Sequence, residues 1–104
     1  MCTPGVKLGL YLPAGLHARM AAQAKACGGL QGAYEAAFGD LLDRLDAGAP
    51  VLFAAVRGPK VRVTVRLCAV LCARLRDALT RLNLKVTDFA CTAIDCFLFT
   101  REGA

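Results

Sequence analysis

Arg62, Thr64 and Arg66 stand at alternate positions of the stretch KVRVTVRL, residues 60–67. Alternate residues of a strand share one face. Two guanidinium groups and a hydroxyl would therefore point the same way, with Val61, Val63, Val65 and Leu67 on the opposite face. An Arg fork can donate two hydrogen bonds to a planar acceptor such as guanine O6/N7, and a Thr can bond a base edge or touch a thymine methyl. A second stretch, GVKLGLYL at residues 5–12, alternates in the same way. Leu8, Leu10 and Leu12 share one side, and Lys7, Gly9 and Tyr11 share the other.

The remaining reactive side chains carry less. Six cysteines (Cys2, Cys27, Cys68, Cys72, Cys91 and Cys96) lack the close CxxC spacing of zinc sites. At least four fall on apolar or small-residue positions of helical patterns, so they are read as small buried hydrophobes. His17 has no acid or nucleophile placed to pair with it. There is no glycine-rich phosphate loop, no HExxH and no GxSxG. No enzymatic activity, catalytic residue, metal or cofactor is expected.

The chain of 104 residues is 57% apolar, which suits one small domain with a packed core. No apolar run is long enough to span a bilayer, and the start, MCTPGVKLGL, has no signal-peptide pattern. No membrane association and a cytoplasmic location are expected. The net charge of +5 is unevenly placed. Residues 1–49 balance Lys7, Arg19, Lys25 and Arg44 against Glu35, Asp40, Asp43 and Asp46. The excess therefore lies wholly in residues 50–104, which points that half toward a polyanion.

The elements that position these residues come from an internal repeat. Residues 4–49 align with residues 59–104 without a gap. Pro4/Pro59, Leu12/Leu67, Leu16/Leu71, Arg19/Arg74 and Asp40/Asp95 are identical, and Leu8, Leu10 and Tyr34 meet Val63, Val65 and Phe89. Gly28 meets Asn83, the two residue types that most readily close a helix in the left-handed conformation. The chain is read as one domain, 1–104, made of unit 4–49, linker 50–58 and unit 59–104. Each unit reads strand, helix, helix. Strands are expected at Val6–Leu12 and Val61–Leu67, and first helices carry the stripes Leu16/Met20/Ala24/Cys27 and Leu71/Leu75/Leu79/Leu82. The second helices are expected to start near Ala33 and after an N-cap at Thr87. Neither strand has a pairing partner within its own unit. The two should pair antiparallel as a ribbon, with four helices packed on its apolar side: a mainly α fold with one two-stranded antiparallel sheet.

KLGLYLP-AGLHARM and RVTVRLC-AVLCARL, each followed by a turn and a second amphipathic helix, resemble the ribbon-helix-helix (Arc/MetJ-like) superfamily of DNA-binding proteins. The likeness covers almost the whole chain, twice, and is closer in the second unit. The first departs from it at Gly9 and in GGLQG before its second helix. The chain resembles the single-chain tandem form, an intramolecular pseudo-dimer, found among accessory proteins of plasmid and T-DNA transfer. The resemblance implies sequence-specific binding of double-stranded DNA, the ribbon lying in the major groove, as a transcriptional repressor or a DNA-processing accessory. Base contacts would fall to Lys7, Gly9, Tyr11, Arg62, Thr64 and Arg66. If Gly9 and Thr64 straddle the pseudo-axis, Lys7 lies across from Arg66 and Tyr11 across from Arg62. Phosphate contacts would fall to the starts of the second helices, Gly32–Ala33 and Thr87–Asp88, with Lys60 and Lys85 in support. Arg19 and Arg74 are assigned to structural ion pairs with carboxylates such as Asp40 and Asp95.

The same resemblance admits a protein-interaction module that has lost DNA binding. An antitoxin would wrap its toxin with a C-terminal extension, and none is expected after the second helix, which places DNA binding first. The chain is expected to be a monomer in solution, with higher-order assembly on DNA allowed.

Overall fold

Strand β1 (Val6–Pro13) and strand β2 (Lys60–Leu67) pair antiparallel as the sheet of a computed structural model that describes residues 6–51, 53 and 59–102. Helices α1 (Ala14–Ala24), α2 (Leu30–Asp46), α3 (Ala69–Leu82) and α4 (Val86–Glu102) complete a mainly helical architecture among the described residues. In chain order the elements run strand, helix, helix, strand, helix, helix. The sheet register pairs Gly9 with Thr64, Lys7 with Arg66 and Tyr11 with Arg62, the pairing expected if Gly9 and Thr64 lie at the centre of the ribbon.

Period two decides which way each strand faces. Leu10, Leu12, Val63, Val65 and Leu67 are buried, while Lys7, Gly9, Tyr11, Arg62, Thr64 and Arg66 are exposed. The buried side is the floor of one core, roofed by Met20 of α1, by Tyr34, Ala37, Phe38, Leu41 and Leu42 of α2, by Leu71, Leu75 and Ala78 of α3, and by Phe89, Ala93, Ile94, Phe97 and Leu98 of α4. Helix α2 packs on α4, α1 and α3, and the two longer helices also reach the sheet: α2 meets β2, and α4 meets β1. Four aromatic contacts, with centroids 5.9 to 6.2 Å apart, cross the core from His17 through Tyr34, Phe38 and Phe89 to Phe53. Val51 and Phe53, between α2 and β2, pack on that core.

The two strand-to-helix junctions are built differently. Pro13 ends β1 and stands at the cap of α1, where its missing N–H leaves nothing to satisfy. Cys68 holds the same place before α3, and its N–H donates to Glu35 Oε2 of α2 at 2.8 Å. Both inter-helix turns close on a left-handed residue. A single turn of 3-10 helix, Lys25–Cys27, follows α1, and Gly28 then closes it in the left-handed region at φ 77°. Asn83 closes α3 in the same region at φ 53°.

Several details depart from expectation. Helix α2 begins at Leu30 rather than near Ala33, because the Gly29 carbonyl accepts the first helical bond, from Ala33 N–H at 3.1 Å. Helix α4 begins at Val86, with Phe89 N–H bonded to the Lys85 carbonyl at 3.1 Å. Thr87 is thus in the first turn and not the N-cap. Arg74 pairs with Asp43 and Asp46, both at 2.9 Å, rather than with Asp40 or Asp95. Cys72 and Cys91 are buried thiols, whereas Cys68 is disulfide-bonded and so is more than a small apolar filler. Among the described residues no helix is long and apolar enough to cross a membrane.

Candidate nucleic-acid interface

The outer face of the ribbon follows from the alternation alone. Once the leucines and valines point into the core, the intervening residues must point out. Three cross-strand pairs result: Lys7 with Arg66, Gly9 with Thr64 and Tyr11 with Arg62. Neither strand contains a carboxylate. No described carboxylate forms an ion pair with Lys7, Arg62 or Arg66. The face is therefore a row of uncompensated cations around a small neutral centre. Tyr11 is 54% exposed at one end of it.

The two arginines of β2 occupy different surroundings. Arg62 lies across the ribbon. Its Nη2 and Nε are 3.7 and 3.9 Å from the point where a Cβ on Gly9 would stand. A long side chain reaches a diagonal cross-strand neighbour in this way. Arg66 instead lines a cleft of about 260 Å³, together with Thr64 and Val65 of its own strand and with Leu30, Gln31 and Tyr34 of α2. Tyr34 is fully buried, and its hydroxyl shares a hydrogen bond of 2.8 Å with His17 Nδ1. Burial pushes the Tyr34 phenol up to about 12. His17 thus has a partner that the sequence does not reveal. Tyr34 lies on the core stripe of its helix, and only the packing of α1 on α2 brings the two together.

At the helix starts the positions divide. Ala33 is buried and its N–H is engaged by the Gly29 carbonyl, so it offers nothing outward; Gly32, half-buried, is the third residue of α2. The unengaged N–H groups of an α-helix are those of its first turn, which here means Leu30, Gln31 and Gly32. At α4 they are those of Val86, Thr87 and Asp88, with Lys85 exposed at the cap and the Asp88 carboxylate in the same turn. Lys60 pairs with Pro13 at the end of the ribbon and is half-buried. Its charge is felt at Cys91 of α4, whose thiol is pushed up by burial first and then by Asp95 and Asp88, while Lys60 pulls it down. The predicted phosphate positions thus belong to different elements: the start of α2, the start of α4 and the end of the ribbon.

Phe99 was not anticipated. It is 80% exposed on α4, beside a depression of about 430 Å³ that it lines with Arg44, Asp95 and Cys96. Among the described residues no group of three His, Cys, Asp or Glu side chains is placed to hold a metal ion. No family model matches the chain, and neither a curated protein nor a solved structure shows significant similarity to it.

Proposed function

We propose that this chain binds double-stranded DNA by laying the β1–β2 ribbon in the major groove. In this reading its two strand–helix–helix halves form a single-chain ribbon-helix-helix pseudo-dimer, whose pseudo-axis passes by the Gly9–Thr64 pair. The role is that of a sequence-specific repressor or an accessory of DNA processing. One observation carries the reading: an antiparallel ribbon, buried on one side, presents Lys7, Tyr11, Arg62, Thr64 and Arg66 on the other without a carboxylate among them. A major groove admits a two-stranded ribbon, and Arg and Thr are suited to its base edges. The first turns of α2 and α4 and the cations Lys60 and Lys85 would meet flanking phosphates.

The test is selection of bound duplexes from a random pool, followed by a salt series on the selected duplex. Affinity should fall steeply with salt, with a log–log slope near −0.9 for each phosphate neutralised. Binding that ignores salt, or no binding to any duplex, removes the proposal. Exposed Phe99 favours a second reading, a protein-interaction module; in that case a partner would be lost in Phe99→Asp and retained in Arg62→Ala.

A further inference from the structure

Gly9 interrupts an otherwise regular strand, and backbone geometry does not explain it. Among the described residues the positive-φ glycines are Gly28, Gly29 and Gly48; Gly9 is not one of them. A glycine within a strand loosens it and packs nothing. What Gly9 does have is an occupant above it, the Arg62 guanidinium, at ordinary contact distance from the missing Cβ. Arg62 is paired in register with Tyr11, so its side chain runs diagonally to reach that place.

We infer that Gly9 is a specificity-determining position that acts by seating Arg62 over the centre of the ribbon. This rests on the DNA-binding reading above. Gly9 contributes no reading group of its own. It gives its space to the guanidinium, so the centre of the ribbon carries an Arg fork from one strand beside Thr64 of the same strand. The pseudo-equivalent arrangement, Lys7 leaning diagonally over Thr64, meets a side chain there and would bring an ammonium rather than a guanidinium, while Arg66, the other diagonal neighbour of Gly9, lines the cleft beside α2. The ribbon thus offers one central guanidinium rather than a symmetric pair. A β-branched residue at position 9 adds a γ-carbon beyond the 3.7 Å Cβ contact and takes the seat, whereas alanine fills only the contact itself.

The experiment compares wild type, Gly9→Ala, Gly9→Val, Gly9→Thr and Arg62→Ala. It uses the duplex selected by wild type and a scrambled duplex of the same length, with thermal unfolding measured alongside. Gly9→Val should lose roughly 5- to 150-fold of its preference for the selected duplex, the worth of one bidentate base contact. Its affinity for the scrambled duplex should stay within about twofold, and its Tm should not fall, since valine suits a strand better than glycine. Arg62→Ala should lose the same preference, and adding Gly9→Val to it should lose nothing more. Gly9→Ala should stay close to wild type. In free protein, contacts between the Gly9 Hα protons and the Arg62 side chain in NMR spectra should vanish in Gly9→Val. Gly9→Thr reports the same losses if Gly9→Val does not fold. Unchanged preference in a folded Gly9→Val or Gly9→Thr overturns the inference and leaves DNA binding standing. Failure of wild type to bind any duplex overturns both.

Discussion

β1 and β2 bury nearly the same face and expose unlike ones. Leu10 and Leu12 do in one what Val63, Val65 and Leu67 do in the other, because both must fill one floor beneath the same four helices. The outer faces are under no such constraint, and there Lys7, Gly9 and Tyr11 stand against Arg62, Thr64 and Arg66. The same contrast recurs elsewhere. Tyr34 of α2 and Phe89 of α4 both pack on Phe38 in the core, but only Tyr34 carries a hydroxyl, spent on His17. Pro13 matches Cys68, but only Cys68 has an N–H to satisfy, and Glu35 satisfies it. These elements agree where the core demands agreement and diverge where each meets its own surroundings.

The largest effect should separate inner from outer face. Leu10→Ala should cost about 2–5 kcal/mol in urea denaturation, and Arg66→Ala, an exposed change, less than about 0.5 kcal/mol; similar losses would erase the division. The next compares the two outer faces. Arg62→Ala and Arg66→Ala should each cost about 1–3 kcal/mol on the selected duplex, and Lys7→Ala and Tyr11→Ala less, on a site that is not a clean palindrome. Larger losses from β1 would reverse the assignment.

Tyr34 against Phe89 is tested by alkali. An unfolded phenol ionises near its ordinary value of 10 and the folded one near 12, so between those values only the unfolded state has lost its proton. Stability should therefore fall as pH rises from about 10 to about 12, and Tyr34→Phe should flatten that part of the pH profile. Glu35→Ala leaves the Cys68 N–H without its acceptor and should cost about 1 kcal/mol, as loss of a helix cap does. Pro13 has no counterpart to this bond, so no single acidic residue should matter as much at the start of α1. Smallest is Arg74→Ala. Its guanidinium is held protonated by Asp43 and Asp46, but the cluster is solvent-facing, so the loss should be under about 1 kcal/mol and shrink with added salt.

Much of the architecture was legible in the sequence because it rests on short-range periodicity. Period two in 6–12 and 60–67 set which side of each strand is buried and excluded a slip of one residue, which would turn every Leu and Val outward; a slip of two keeps the same faces, so the register of Gly9 against Thr64 rested on placing that pair at the centre of the ribbon. The Gly28/Asn83 match located both inter-helix turns through backbone preference alone. The helix starts were less legible. Gly29 at the head of α2 and Lys85 at the head of α4 cap through their carbonyls, with no side-chain signal to mark them, and Thr87, the more obvious cap, lies inside the first turn.

By itself the sequence determined two strands with one apolar side each, four helical segments and a cationic outer face, because each depends on residues a few places apart. The tertiary structure alone decided that Arg62 rests over Gly9 while Arg66 lines a cleft with the head of α2, that Arg74 meets Asp43 and Asp46, and that His17 reaches Tyr34. These contacts join residues far apart in the chain. Which of several equally charged or equally long side chains meets which is set by the angle and depth at which the helices pack on the ribbon, and no local pattern encodes that.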